Sequence, residues 1–470
     1  MLELTEYDEA GVLRAVYVES KNDTNRIGSR VDIVSLRDVK TPWQRILDVF
    51  LPAGYPQSVT EDYIEYQIYD SLQAFSSSIA GLISSRAVLQ GVGVGDASAS
   101  PTAALLLSVL QDSMGRLATI LFAHRLGTSL EPECKMYRLA ADIFNDTAMI
   151  LDCLSPAFPK ALRVLVLSFS SILRALCGVA AGSSKATLSA HFAKWGNLGE
   201  LNAKDSSQET IISLMGMLAG SVVVSWISSP LATWATLLTL LSIHLATNHA
   251  AVRAVSMKTL NRQRANIVLS CLMDNDEVLT PKQVSRKERI FERDGVLRWK
   301  GGRVLGHCNI GTTLQELLQR LGPSHAKTRS IHLEGLRLAD LILLYERELY
   351  ILWLDKTTAK LRIYIVLKQG CTPVTQLKAW TQALTLARHA SQQQSRDSDR
   401  VTSRLQDGLK QAPLHTNSGP LAELRQTLTQ TSKSFPEYVQ RLEAAGWDLS
   451  VAALETVSGT RAVVRTKESS

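Results

Sequence analysis

Residues 210–252 read TIISLMGMLAGSVVVSWISSPLATWATLLTLLSIHLATNHAAV and contain no Asp, Glu, Lys or Arg. A transmembrane helix needs about 20 mostly apolar residues, and this run of 43 residues is long enough for two. It divides at Ser228, Ser229 and Pro230, where the proline favours a turn. The pattern therefore predicts a transmembrane helical hairpin over about 210–252. A hairpin buried in a large soluble protein is the alternative, because each half is near the lower length limit for a span.

A strongly basic segment follows this apolar run. Residues 253–303 contain 12 Lys and Arg against 6 Asp and Glu, so 12 − 6 = 6 of the chain's net 7 positive charges lie there. Basic residues beside a membrane helix favour the cytoplasmic side or a matrix-like compartment. Aromatic residues interleaved with the basic ones would favour nucleic-acid binding, but the segment has only Phe291 and Trp299. We therefore predict the lipid bilayer as a partner, and no nucleic acid.

Composition narrows the class of protein. The chain has 470 residues, of which 45% are hydrophobic and 20% charged, and this excludes a disordered chain. Its six cysteines are scattered and form no CxxC pair, which argues against a paired-cysteine zinc site and a small disulfide scaffold. No metal site is predicted. The acidic start, MLELTEYDEAGVLRAVYVES, resembles neither a secretory signal nor an Arg-rich transit peptide, so the sequence indicates no organelle.

The hydrophobic period changes near residue 285. Long helical segments rich in small residues precede it, and short strands separated by turns follow it. The predicted class is mainly α, with a membrane-associated helical domain and a small α+β C-terminal domain. The predicted domains are an N-terminal extension at 1–40, the helical domain at 41–280 and the α+β domain at 285–470. Within the last, we predict strands at 341–345, 349–354 and 361–367, a helix at 375–389, a polar flexible insertion at about 392–420 and a strand pair at 449–464.

Charged residues also occur at helical spacing within the apolar first half. Arg138, Asp142, Asn145 and Asp146 lie three or four residues apart, so they share one helix face. Two carboxylates and an amide on one face are suitable ligands for a cation, but buried charges usually pair with one another. The default prediction is therefore a buried polar seam. Its other predicted members are His191, Asp205 and Gln208.

A pyridoxal phosphate site is another use for the polar residues of this region. Glycine-rich loops direct backbone N–H groups at phosphates, and a lysine amine forms a Schiff base with an aldehyde. The loop GVGVGD at 91–96 lacks the Gly-Lys-Ser/Thr ending of a P-loop, so a helix-packing role is the simpler interpretation. The candidate cofactor-binding residues are Gly91, Gly93, Gly95, Asp96, Lys185 and Lys204.

Glycine pairs at GxxxG spacing permit close contact between membrane helices. They occur at Gly91/Gly95, Gly178/Gly182 and Gly216/Gly220. One or two such pairs are expected by chance, so the motif alone is a weak signal.

Several motifs resemble, in order, those of the root UVB-sensitive family. They are LPAGYPQSVTEDY at 51–63, LQAF at 72–75, GVGVGD at 91–96, ADIFND at 141–146, HFA at 191–193, AKDSSQE at 203–209 and TLNR at 259–262. The resemblance covers about residues 40–280, and the region after 285 fits only loosely. The family carries a vitamin B6 photoprotection and homoeostasis domain, is helical and is usually regarded as membrane-associated.

The resemblance implies a non-enzymatic integral membrane protein that moves or senses a small metabolite connected with vitamin B6. No Ser-His-Asp arrangement, HExxH motif or kinase signature is present, and no catalytic residue is predicted. Two alternatives stay open: a peripheral pyridoxal-phosphate-binding protein, and a membrane scaffold that recruits partners through its C-terminal domain. A second copy of the chain, or a paralogous family member, is a further expected partner.

Overall fold

A computed structural model of the chain contains two compact units. The first comprises Met1–His124 and Cys134–Val255, and the second Arg125–Glu133 and Ser256–Ser470. The structure describes residues 2–7, 13–21, 29–35, 49–92, 100–325, 327–333, 337–355, 361–406, 419–457 and 459–464.

A three-stranded antiparallel sheet lies at the start of the first unit. Its strands are β1 (Leu2–Tyr7), β2 (Leu13–Lys21) and β3 (Ser29–Ser35), in that order across the sheet. Strand β1 reads LELTEY, and all six of its residues are exposed. The sequence prediction gave these residues only as an extension, so it missed this sheet.

The rest of the first unit is helical. Six long helices follow one another with short connections, each of 21 residues or more. They are α1 (Tyr63–Val92), α2 (Pro101–Leu130), α3 (Cys134–Leu154), α4 (Lys160–Phe192), α5 (Leu198–Trp226) and α6 (Pro230–Ala254). The last turns of α2, from Arg125, belong to the second unit.

Helices α5 and α6 form the predicted hairpin. Ser229 caps α6, because its side chain accepts a hydrogen bond from the Ala232 N–H, and Pro230 occupies the first helical position. The two helices do not pack along each other. Each packs along α1, which also contacts α3, while α3 packs on α4 and α6. Helix α1 is therefore the central element of the bundle, and the hairpin is held open around it.

One of the three GxxxG pairs marks a close helix contact. A Cβ on Gly216 would lie 2.6 Å from Ser78 Cβ and 2.9 Å from the Phe75 carbonyl oxygen. A Cβ on Gly220 would lie 2.8 Å from Leu82 Cδ1. These two glycines let α5 approach the backbone of α1. By contrast, neither glycine of the Gly178/Gly182 pair has a neighbour within 4 Å of such a Cβ.

The second unit is built on a small mixed sheet. Its strands are β4 (Val296–Arg298), β5 (Val304–Ile310), β6 (Tyr350–Asp355), β7 (Arg362–Lys368) and β8 (Arg461–Ala462). The order is β4-β5-β7-β6, with β8 also paired to β7. Strands β5 and β8 run parallel to β7, and β6 runs antiparallel to it. Every residue of β6 is buried, so helices cover this sheet.

Six helices complete the second unit within the described residues. They are α7 (Arg262–Asn275), α8 (Pro281–Ser285), α9 (Leu314–Gln319), α10 (Leu338–Leu344), α11 (Pro373–Gln406) and α12 (Pro420–Ala444). The fully buried Trp380 of α11 anchors the core, and its indole N–H donates to Asn266 Oδ1 at 2.9 Å. The predicted class, mainly α with a small α+β C-terminal part, is confirmed.

Several boundaries in the second unit were predicted wrongly. The strand predicted at 341–345 is part of α10, because Leu338, Leu341 and Leu344 recur at helical spacing and Leu341 is buried. The strand pair predicted at 449–464 is one short strand, β8, which pairs in parallel with distant β7. Helix α11 continues to Gln406, so the first part of the predicted flexible insertion is helical, and residues 407–418 lie outside the described residues.

Candidate functional site

A network of buried polar side chains joins α1, α3 and α6 in the first unit. We call it the Arg138 network. Its members are Asp70 and Gln73 on α1, Arg138, Asp142 and Asp146 on α3, and His244 and Asn248 on α6. Each is less than 9% exposed. A buried cluster of ionisable groups inside an apolar bundle is costly unless its members pair or bind something.

Arg138 is the only cation permanently charged in this network. Its guanidinium donates to Asp70 Oδ1 at 2.6 Å, to Gln73 Oε1 at 2.8 Å and to Asp142 Oδ1 at 3.2 Å. The two carboxylates thus receive charge-assisted hydrogen bonds, which are the strong class of buried hydrogen bonds. The predicted seam residues Arg138 and Asp142 meet through this contact.

His244 is oriented by Gln73. Because Gln73 Oε1 accepts from Arg138, the amide NH2 faces the other way, where it lies 2.6 Å from Asp142 Oδ2 and 3.1 Å from His244 Nε2. When Gln73 donates to His244 Nε2, the imidazole proton lies on Nδ1. Nδ1 lies 2.7 Å from Asp146 Oδ1.

Some atoms of the network lack a good hydrogen-bond partner. The alignment of His244 Nδ1 with Asp146 falls outside hydrogen-bond geometry, and neither Asp146 oxygen accepts a hydrogen bond from a described residue. Asn248 donates to Asp142 Oδ2 and to the Arg138 carbonyl oxygen at 3.2 Å, but its own Oδ1 is unpartnered among the described residues. The part of the network around Asp146 therefore contains buried polar atoms whose hydrogen bonds are not all formed.

Burial and charge act in opposite directions on Asp142. Loss of solvent raises the pKa of its carboxyl above the ordinary value, although the Arg138 guanidinium lowers it in part. The net direction is upward. Tyr66, whose hydroxyl contacts Arg138 Nε at 3.5 Å, has its pKa raised by burial too, so it stays a neutral phenol.

Helical spacing explains how the sequence assembles this network. Asp70 and Gln73 are three residues apart on α1, and His244 and Asn248 are four apart on α6, so each pair shares a face. None of these four residues was among the predicted site residues. The sequence did contain a signal for His244 and Asn248, because they are two polar residues four positions apart inside the uncharged run.

The other predicted seam residues lie in separate places. Asn145 donates to Ser77 Oγ at 3.4 Å, and His191 lies 2.9 Å from Asp62 Oδ2. Asp205 and Gln208 on α5 both accept from the Gln67 side-chain amide, at 2.5 and 2.8 Å. The predicted seam is thus several local polar contacts rather than one continuous row.

The predicted cofactor residues are not assembled into one site by the described residues. Lys185 Nζ lies 2.7 Å from both Asp205 and Glu209, and Lys204 donates to the Val49 carbonyl oxygen at 2.8 Å. The Gly91 carbonyl oxygen, at the end of α1, accepts from Arg163. Residues Gly93, Gly95 and Asp96 lie outside the described residues. The pyridoxal phosphate site stays a prediction.

A fully paired carboxylate on the same helix contrasts with Asp146. Asp152 accepts from Ser170 at 2.5 Å and from Ser84 at 3.0 Å, and it also binds Arg174. The hydrogen bonds and the ion pair of Asp152 are all formed with residues of the first unit. In the described part of the chain, no group of three or more His, Cys, Asp or Glu side chains has the geometry to hold a metal ion.

Comparison with known proteins identifies the family. The profile described as "Vitamin B6 photo-protection and homoeostasis domain" matches residues 37–276, and the profile "Root UVB sensitive protein, C-terminal" matches residues 277–457. The chain belongs to the root UVB-sensitive family. The resemblance drawn from the motifs is confirmed, and the second profile extends it across the C-terminal region that fitted only loosely.

Individual relatives support this assignment. The chain is 41% identical over 250 residues to "RUS family member 1" of Dictyostelium discoideum, which covers 52% of this chain and 47% of the relative. It is 39% identical over 250 residues to "Protein root UVB sensitive 3" of Arabidopsis thaliana, and this match covers 53% of this chain and 57% of the relative. "Protein root UVB sensitive 5" of Arabidopsis thaliana is 25% identical over 450 residues, and this match covers 93% of this chain and 80% of the relative. The first two matches thus span about half of each relative. No solved structure matches the chain.

Proposed function

We propose that this root UVB-sensitive protein is a non-enzymatic integral membrane protein whose spans include α5 and α6. The observation that supports this is the distribution of apolar side chains. Four helices are long and apolar enough to cross a membrane: Ala104–Leu130, Lys160–Phe192, Leu198–Trp226 and Pro230–Ala254. Their outward faces carry large exposed apolar residues, such as Trp226 at 84% and Leu231 at 83% exposure. Apolar surface of that extent needs lipid or another protein to cover it.

Length is compatible with the proposal. At about 1.5 Å per residue, the 25 residues of α6 extend about 38 Å, against a hydrocarbon thickness of about 30 Å. Polar groups inside and apolar groups outside are what a bilayer requires of a helical bundle, because no water is available to solvate a charge facing lipid. The exposed apolar faces also suit association with a second copy or a paralogous family member.

The Arg138 network supplies the proposed functional site. It contains three carboxylates (Asp70, Asp142 and Asp146) and one guanidinium, so its carboxylates outnumber its permanently charged cation by two. Ionisable groups buried within membrane proteins mark substrate pathways and proton relays. We propose that this network takes part in moving or sensing a small metabolite. The family profile that covers this network names vitamin B6 in its description, so vitamin B6 compounds are the metabolites to test first.

Membrane integration is tested by alkaline carbonate extraction of a full-length chain, tagged at each end in turn. Retention in the pellet supports the proposal, and complete release overturns it. Protease protection of the two tags in sealed vesicles then reports which side each end faces. A hairpin of α5 and α6 returns the chain to the side on which it entered.

Transport is tested separately, with the purified chain in proteoliposomes. We expect uptake of labelled pyridoxal above that of protein-free vesicles, and reduced uptake for His244→Gln at equal protein content. Equal uptake with and without protein would leave sensing as the role to test, through altered vitamin B6 pools in cells that lack the chain.

A further inference from the structure

A small cavity opens within the second unit, beside α7 and β4. Its volume of about 460 Å³ falls in the range of about 300–1,000 Å³ typical of small-molecule sites. Buried residues of α7 and its neighbourhood form its floor, among them Gln263, Asn266 and Leu279. A cavity that combines buried apolar side chains with a few fixed polar groups is typical of sites that bind small organic molecules.

The rim of this cavity is basic. Lys287, Arg289, Arg298 and Lys300 line it with one carboxylate, Glu292, so its formal charge is 4 − 1 = +3. Arg298 and Glu292 neutralise each other through two hydrogen bonds of 2.7 and 2.9 Å. Burial raises the pKa of Glu292, but the hydrogen bonds from Arg298 and from the Arg293 N–H lower it below its ordinary value overall, so Glu292 is ionised at neutral pH.

Three of the four cations form no ion pair with a described carboxylate, although Arg289 is near enough to Glu292 to help lower the pKa of that carboxyl. Among the described residues, neither Lys287 nor Arg289 forms an ion pair with a carboxylate, and Lys300 donates only to the Asn275 side-chain oxygen at 2.9 Å. A Cβ on Gly302 would lie 3.4 Å from Arg289 Nη2, so the guanidinium sits over the turn at Gly301 and Gly302. Unneutralised cations directed at one cavity favour an anionic ligand.

Trp299 provides a flat wall beside these cations. Its indole N–H donates to Asp274 Oδ2 at 2.7 Å, and the Arg388 guanidinium lies 4.6 Å from the ring centre. These contacts fix the ring without filling the cavity that it lines. A rigid aromatic surface next to a cation is a suitable site for a ligand that carries both a ring and an anionic group.

The geometry points to a binding site for a small phosphomonoester on a flat ring, held by Lys287 and Arg289 through its phosphate and by Trp299 through its ring. Arg and Lys are the side chains that bind phosphate, with Arg able to donate two parallel hydrogen bonds. This site explains the basic segment at 253–303, which the apolar hairpin explains only at its start. It is independent of the membrane proposal, because every lining residue belongs to the second unit.

The test is isothermal titration calorimetry on the full-length chain in detergent, with pyridoxamine 5′-phosphate as the probe. This compound has a ring and a phosphate but no aldehyde, so it forms no Schiff base with surface lysines. Pyridoxamine and inorganic phosphate are the ligand controls. The variant is Lys287→Gln combined with Arg289→Gln, and its matched control is Arg293→Gln, an exposed base of the same segment that does not line the cavity.

We expect saturable binding of pyridoxamine 5′-phosphate to the wild type and to Arg293→Gln. The double variant should bind at least about tenfold more weakly, which is about 1.4 kcal/mol, and each control ligand should also bind more weakly than the probe. Equal binding by the double variant, or equal affinity for pyridoxamine, overturns the site. So does the absence of binding at millimolar concentrations of the probe. Carbonate extraction reads out the membrane proposal separately.

Discussion

His244 Nδ1 lies 2.7 Å from Asp146 Oδ1, and both side chains are almost completely buried. This contact joins the uncharged hairpin to the charged helix α3. Asp146 accepts no aligned hydrogen bond from a described residue, whereas Asp152, on the same helix, accepts several. The two aspartates therefore differ in how well their negative charge is stabilised, and the difference can be measured.

Asp146→Asn should leave the thermal stability of the protein unchanged or raise it. The substitution keeps the shape of the side chain and removes a buried charge that has no well-aligned donor. Asp152→Asn is the matched comparison. It should destabilise by about 1.5–3 kcal/mol, the typical value for a hydrogen bond to a charged group. The measurement is the melting temperature of each purified variant in the same detergent. Equal destabilisation by both substitutions would show that Asp146 is as well paired as Asp152.

Arg138→Met should strongly destabilise the helical unit. Removing the guanidinium leaves Asp70 and Asp142 buried without their cation, and such a loss typically costs about 3–5 kcal/mol. Adding Asp70→Asn should recover part of that loss, because it removes one of the stranded charges. Detergent melting temperatures of the single and double variants decide this. If Asp70→Asn adds its own loss to that of Arg138→Met, the pairing inferred from the 2.6 Å contact is wrong.

Gly216→Ala should weaken the contact between α5 and α1. The new Cβ would meet Ser78 Cβ at 2.6 Å and the Phe75 carbonyl oxygen at 2.9 Å, and a backbone atom cannot move aside cheaply. Overpacking of this kind costs about 1–3 kcal/mol. Gly182→Ala, inside α4, is the control, since no atom lies within 4 Å of its Cβ and alanine favours a helix. Thermal unfolding that is equally affected in both variants would exclude a specific close contact at Gly216.

The raised pKa of Glu133, in the second unit, should make the stability of the protein depend on pH. Burial raises its pKa from 4.5 to about 7, although Arg264 and other neighbours lower it in part. A carboxyl whose pKa is raised by folding stabilises the folded state fully below its unfolded pKa, and this contribution is lost as pH rises through the folded value. Stability should therefore fall between pH 4.5 and about 7. Glu133→Gln should reduce this fall, measured as melting temperature against pH. Parallel curves for the two proteins would contradict the assignment.

The sequence was informative where a pattern is local. The uncharged run, the turn at Pro230 and the spacing of Arg138, Asp142 and Asp146 each follow from residues close together in the chain, and the helices form accordingly. The partners of Arg138 were not accessible in this way. Asp70 and His244 are far from Arg138 in sequence, and only tertiary packing brings α1 and α6 against α3.

Interpretation of the C-terminal strands failed for a related reason. Residues 341–345 are apolar enough for a strand or a helix, and a short apolar run does not distinguish the two. Their helical state depends on the burial of Leu341 against the second unit's core. The sequence also gave no sign that α5 and α6 would separate around α1. A hairpin with a tight turn suggests mutual packing, whereas Gly216 and Gly220 direct α5 toward α1 instead.

Arginine substitutions at two depths of α6 test membrane insertion directly. Leu238 lies well inside the helix and is 50% exposed, whereas Leu231 lies at its start and is 83% exposed. An arginine near the centre of a span costs about 2.5–3.5 kcal/mol on insertion scales, and a residue near the interface costs far less. Leu238→Arg should therefore impair insertion, and Leu231→Arg should be tolerated. The measurement is the side of the membrane on which a protease site placed directly after α6 lies in sealed vesicles, because the other candidate spans would keep the whole chain carbonate-resistant. In water, or against a protein partner that covers the whole helix, depth has no such effect. If the site lies on the same side in both variants, α6 does not span the membrane.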